Sequence, residues 1–173
     1  NGDHDFRGKI YGGNTGAPEQ DIVGQDDFFG SVVKIVPNPQ LSSTAQGLTI
    51  VACSPRPASD TTQRLGAVHL IRWNGSSWAY QRSITADMLR DPNKVFDPSD
   101  AYSAMIGFSM DIQAWKIPNN KYEYNLAIGT PFMVTEDYRT GSVSVFNIGI
   151  SFFRQSFFKE TTGTSECGRA VKL

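Results

Sequence analysis

The sequence predicts an all-β fold of short antiparallel strands, and three observations lead to it. Residue usage favours turns over helices: Asp outnumbers Glu 12 to 5, and there are 16 Gly and 9 Pro. Asp, Gly and Pro belong to turns, while Glu belongs to helices. Helical periodicity is nearly absent. Its best candidate, 83–90 (SITADMLR), is short, is stopped by Asp91-Pro92, and reads as a turn or one helical loop segment. Finally, runs rich in Val, Ile, Phe, Trp and Tyr recur between Gly, Pro and Asn. They are 31–36, 48–53, 67–73, 77–84, 107–115, 124–128, 142–147, 151–158 and 169–173.

The clearest local signal is IRWNGSSWAY at 71–80. Asn74-Gly75 between aromatic strands predicts a type I′ hairpin turn, because both central residues must take positive φ.

Length and charge set the outer bounds. At 173 residues and 19.0 kDa the chain is one domain or part of a larger one. A formal charge of -1 and a pI near 6.1 give no basic face for nucleic acid and no polybasic patch for a membrane. No apolar run approaches the ~20 residues of a membrane helix. The sequence opens on Asn1 rather than Met, as removal of a signal peptide would leave it. A hydrophobic fraction of 39% suffices for a core, so disorder is not expected.

An internal repeat organises the strands. FGSVVKI at 29–35, IGFSMDI at 106–112 and CGRAVKL at 167–173 each place Gly before an alternating strand. A second strand ending in Pro follows, LTIVACSP at 48–55 and NLAIGTP at 125–131. A third opens with Gly, GAVHLIRW at 66–73 and GSVSVFNI at 141–148. A fourth carries an aromatic and then Gln three residues on, Trp78 with Gln81 and Phe152 with Gln155. The offset is ~75 residues, longer than a usual propeller blade of ~40–50, and the excess lies in loops such as 87–102. Gly8-Lys9-Ile10-Tyr11 fits the third strand of a preceding copy.

This order of elements resembles FG-GAP repeats, the blades of integrin-α-type β-propellers. The residues that carry the resemblance are Phe29, Gly30, Pro55, Gly66, Gly107, Pro131, Gly141 and Gly168. It implies a β-propeller-like array of four-stranded antiparallel blades, present here as a partial propeller. The expected division is the end of a preceding blade at 1–23, blades at 24–100 and 101–160, and the first strand of a following blade at 161–173. Four-stranded blades bury both faces only by stacking on neighbours, and a closed ring typically takes four to eight of them.

The resemblance also implies a calcium loop between strands one and two, and the residues do not fit it. Calcium takes six to eight oxygen ligands. Aligned on the Pro, the first copy offers Leu41, Ser43, Ala45 and Thr49, and the second Ile117, Asn119, Lys121 and Asn125. No metal and no cofactor are expected in these two blades. Asn1-Gly2-Asp3-His4-Asp5 has suitable residue types but lacks a closing acid, and reads as a solvated turn.

No catalytic residue is expected. The histidines are His4 and His69, and His69 alternates with Val68 and Leu70 as a strand-face residue. Gly-x-Ser-x-Gly, phosphate-loop and His-Glu-x-x-His patterns are absent. Asp26-Asp27 are adjacent, so in extended chain their carboxylates point apart. Asn74-Gly75-Ser76 is a glycosylation sequon at a hairpin tip. Cys53 and Cys167 fall in different units and read as two small buried hydrophobes rather than a disulfide. Phe152, Phe153, Phe157 and Phe158 cannot all share one strand face, so some are expected to meet a neighbouring blade, a partner chain or solvent.

The expected function is non-catalytic extracellular or cell-surface recognition or adhesion, with a protein or glycan ligand. Candidate contact loops are 87–102 and 132–140, the latter with Glu136, Asp137, Tyr138 and Arg139. A filament or coat subunit paired through blade edges is one alternative, with homo-oligomerisation. A lectin stacking sugars on Trp73, Trp78 or Trp115 is another.

Overall fold

A computed structural model describes residues 28–37, 47–55, 66–73, 78–85, 88, 105–118, 121–131, 134–135, 138–139, 141–148, 152–158 and 167–173. Two four-stranded antiparallel sheets dominate. The first runs β1 (Val33–Pro37), β2 (Leu48–Ser54), β3 (Ala67–Trp73) and β4 (Trp78–Ile84), each strand pairing with the next. The second holds β5 (Ser109–Ile117), β6 (Lys121–Thr130), β9 (Ser142–Ile148) and β10 (Phe152–Phe158), in that order. Between β6 and β9 the chain makes a two-stranded ribbon, β7 (Val134–Thr135) and β8 (Tyr138–Arg139).

The fold is therefore all-β with meander sheets, and the strand runs read from the sequence fall where expected except for 169–173. The two sheets are also built alike. Cys53 pairs with Val68 in the first, and Gly129 with Val143 in the second. The fourth strand carries a register shift in both. Leu70 pairs with Arg82 and Ile71 with Tyr80, which leaves Gln81 over. Phe146 pairs with Arg154 and Val145 with Ser156, which leaves Gln155 over. The repeated Gln is the extra residue of a β-bulge, which bends the outer strand and increases its twist.

The core lies between the sheets. From the first come Val36, Val51, Cys53, Val68, Leu70 and Ile84. Ile106, Met110, Tyr124, Leu126, Ile128, Phe146 and Ile148 meet them from the second unit. Strand alternation puts these residues on one face of each sheet. The first sheet's other face carries the cross-strand rows Val33–Ala52–His69–Ser83 and Ile35–Ile50–Ile71–Tyr80. On it Val33, Ile35 and Leu48 are 47%, 59% and 44% exposed.

Two expectations need correction, and one element is additional. Trp73 pairs with Trp78, which centres the hairpin one residue beyond an Asn74-Gly75 turn. The two indoles make an edge contact at 5.3 Å, a cross-strand aromatic pair that favours this register. Residues 169–173 form no ladder among the described residues; Cys167 makes a single parallel bridge to Gly141. A strand needs a partner, and no described segment stands in the second-strand place beside it. The ribbon β7–β8 was not foreseen, because its strands are two residues each, too short for a periodic signal.

Candidate functional site

The repeat-motif residues meet at one junction, built twice. In the first copy, the Gly30 N–H donates to the Cys53 carbonyl at 2.9 Å, and the Gly66 backbone bridges Ile106. A Cβ on Gly66 would lie 2.8 Å from the Ile106 oxygen and 3.0 Å from the Pro55 oxygen. In the second copy, the Gly107 N–H donates to the Gly129 carbonyl at 3.2 Å, and Gly141 bridges Cys167. A Cβ on Gly141 would lie 2.7 Å from the Pro131 oxygen. The turn before each first strand is also repeated. Phe28 and Gly30 take φ of 54° and 85°, and Met105 and Gly107 take 51° and 80°. The Ser31 N–H closes the first turn on the Phe28 carbonyl, as the Phe108 N–H closes the second on Met105. Gly168, at φ 90°, begins a third such approach, and its carbonyl accepts the Ser109 hydroxyl at 2.7 Å.

An ionic strip links successive units beside this junction. Lys34 Nζ lies 3.1 Å from Asp111 Oδ1, and the Leu173 N–H donates to Asp111 Oδ2 at 2.9 Å. Lys34 and Asp111 hold the same place in their units, four residues beyond Gly30 and Gly107. The Leu173 N–H and then Lys34 hold the Asp111 carboxyl below the usual carboxylate range. The +/− pairing across the ~77-residue offset is the sequence signal that could have found this contact.

A second polar group crosses the first sheet. His69 Nε2 lies 2.8 Å from Ser54 Oγ, and His69 Nδ1 lies 2.7 Å from Ser83 Oγ. The Phe29 ring lies 5.6 Å from the imidazole. His69 is a strand-face residue, as its alternation implied, but its two hydroxyl partners were not legible. A serine beside an imidazole is the start of a nucleophile–base pair. Here Ser54 and His69 are each 2% exposed, so no substrate atom reaches them in this conformation. Burial pushes the Cys53 thiol up to about 12, and its Sγ lies 3.6 Å from Met110 Sδ. No disulfide joins Cys53 to Cys167, which is only half-buried.

The 132–140 loop carries β7 and β8, with Val134 paired to Arg139 and Thr135 to Tyr138. Glu136 and Asp137 lie outside the described residues, as do Asn74, 1–27 and most of 87–102. Of the aligned calcium positions, Ile117 and Lys121 pair with each other, and Thr49 and Asn125 stand inside β2 and β6. Leu41, Ser43, Ala45 and Asn119 lie outside the described residues. Of the tryptophans, Trp73 and Trp78 face each other and Trp115 is half-buried on β5. Among the described residues no three His, Cys, Asp or Glu side chains group as metal ligands. No helix there is long and apolar enough to cross a membrane. Comparisons with family models, curated proteins and solved structures find no match to this chain.

Proposed function

We propose that the two sheets are consecutive blades of an FG-GAP-type β-propeller array acting as an extracellular recognition or adhesion module, with a protein or glycan partner and no catalysis. The observation that carries this reading is the doubled junction, Pro55–Gly66–Ile106 and Pro131–Gly141–Cys167. A unit that repeats its own neighbour contact is built to be stacked. The partner site is the 132–140 loop, since its ribbon stands outside the two sheets. Asn74 is the proposed glycosylation site of a secreted chain.

Deletion of 132–140 tests the site. Thr130 and Ser142 pair directly, so residues 131 and 141 already stand at a hairpin end. The variant is expected to keep its thermal unfolding profile. It is expected to lose adhesion to surfaces coated with purified extracellular glycoproteins or with a glycan panel. Undiminished adhesion would sink the assignment.

A filament or coat subunit is the second reading. The exposed Val33, Ile35 and Leu48 favour it, because such a face can be covered by another copy. Sedimentation over a hundredfold concentration range separates the readings: open-ended polymers support the filament, and a fixed mass supports the array.

A further inference from the structure

Tyr80, Ser83, His69 and Ser54 form a hydrogen-bonded line that runs from solvent into the sheet. Tyr80 Oη lies 2.8 Å from Ser83 Oγ. Ser83 Oγ lies 2.7 Å from His69 Nδ1, and His69 Nε2 lies 2.8 Å from Ser54 Oγ. Ser54 donates onward to the Ala67 carbonyl at 3.5 Å. Tyr80 is 40% exposed, whereas the imidazole is buried, so the line has one wet end.

In the tautomer with Nε2 protonated, the Ser54 hydroxyl accepts from the His69 Nε2–H and donates to the Ala67 carbonyl. Nδ1 is then the free acceptor of a neutral imidazole and takes the Ser83 hydroxyl proton. Ser83 in turn accepts from Tyr80. This is the tautomer that can take a proton from the solvent end of the line, and in it every member has a partner.

We propose that this line is a proton-uptake path to a buried imidazole, and that the burial of this imidazole makes the first sheet acid-labile. A proton from water arrives at Tyr80 Oη, and the phenol passes its own proton to Ser83 Oγ. Ser83 releases its hydroxyl proton to His69 Nδ1. Each oxygen keeps the number of protons it began with, and the imidazole gains one. No heavy-atom bond changes, and nothing is oxidised or reduced.

The imidazolium then lacks an opposite charge among the described residues. Its row is Val33, Ala52 and Ser83, with Ser54, Ala67, Ile35, Ile50 and Ile71 beside it and the Phe29 ring against it. Tyr80 is the other titratable group on that face. Lys34, Cys53, Arg72 and Arg82 alternate onto the opposite face. Burial accordingly lowers the His69 pKa to about 4. Above pH 6.5 the folded and unfolded chains both hold a neutral imidazole, and the group has no effect. As pH falls from 6.5 to about 4 the unfolded chain takes the proton first, so stability is lost, and below that the loss is complete. The difference amounts to a ~300-fold rise in the unfolding equilibrium constant.

The test uses the full chain. An NMR titration of the His69 ring is expected to show a neutral imidazole at pH 6 that titrates near 4. Urea unfolding at pH 7 and pH 4 is expected to show a ~100-fold larger acid loss in wild type than in His69→Gln. Tyr80→Phe is expected to leave the titration in place and to slow exchange of the ring proton with solvent several-fold. Titration at 6.5, or equal acid loss in wild type and H69Q, would overturn acid lability. Unchanged exchange in Y80F would overturn the path. If H69Q fails to fold, the wild-type titration still decides.

Discussion

The two sheets share a backbone and differ in what they bury. Both have the same strand order, the same glycine turn and the same bulge at Gln81 and Gln155. Where the first sheet has Ser54 and His69, the second has Thr130 and Ser144. Ser54 and His69 are hydrogen-bonded to each other. Thr130 Oγ1 and Ser144 Oγ are fully buried and find no hydrogen-bond partner among the described residues. Position in the unit therefore fixes the backbone where Gly66 and Gly141 leave no room for a Cβ. The side chains on the strands are free to diverge as long as they pack.

The largest expected break in this comparison comes from the equivalent glycines. Gly107→Ala places a Cβ 2.9 Å from Val68 Cγ2 and 3.0 Å from Cys53 Sγ, at a positive φ. Left-handed strain and overpacking together are expected to cost about 3 kcal/mol. Gly30→Ala has the same φ problem, but its nearest contact is 3.9 Å away, so strain alone costs about 1 kcal/mol. Urea midpoints of the two variants read the difference; equal losses would mean that the close contacts around Gly107 add nothing to the strain of its positive φ.

The buried hydroxyls give a smaller effect of opposite sign. Ser54→Ala leaves the buried His69 Nε2 without its partner and is expected to cost about 1–3 kcal/mol. Thr130→Val removes a hydroxyl that gains no bond, and is expected to be neutral or to stabilise by up to ~1 kcal/mol. Thermal unfolding at pH 7 checks both. Destabilisation by T130V would mean that the hydroxyl has a partner.

The ionic strip should matter least. The Lys34 side chain is 42% exposed, so its pair with Asp111 is screened by solvent. Asp111→Asn is expected to cost less than ~1 kcal/mol, and only at low salt. A loss that persists in 1 M salt would point instead to the bond from the Leu173 N–H.

What was legible in the sequence follows from the same division. Gly30, Gly66, Gly107, Gly141, Pro55 and Pro131 could be read because each answers a backbone demand that few residues satisfy. The paired Gln81 and Gln155 were visible as a pattern, and only the register shows that they sit at bulges. His69 could be placed on a strand but not given partners, since Ser54 and Ser83 reach it across strands whose register a sequence does not specify to one residue. The Asn74-Gly75 signal gave the hairpin, but the Trp73–Trp78 pair centres it one residue further on. The 169–173 run has strand composition but no described partner strand beside it.

The central claim is that these sheets are consecutive members of one array, so that the charge-free face of the first packs against another sheet of the same kind. Hydroxyl-radical footprinting of the protein from its natural source tests this most directly, read at Val33, Ile35 and Leu48. The account expects those three residues to be protected as strongly as the buried Leu126 and Ile128. Labelling of all three at the level of exposed Leu173 would contradict it, leaving an uncovered face and no neighbouring sheet.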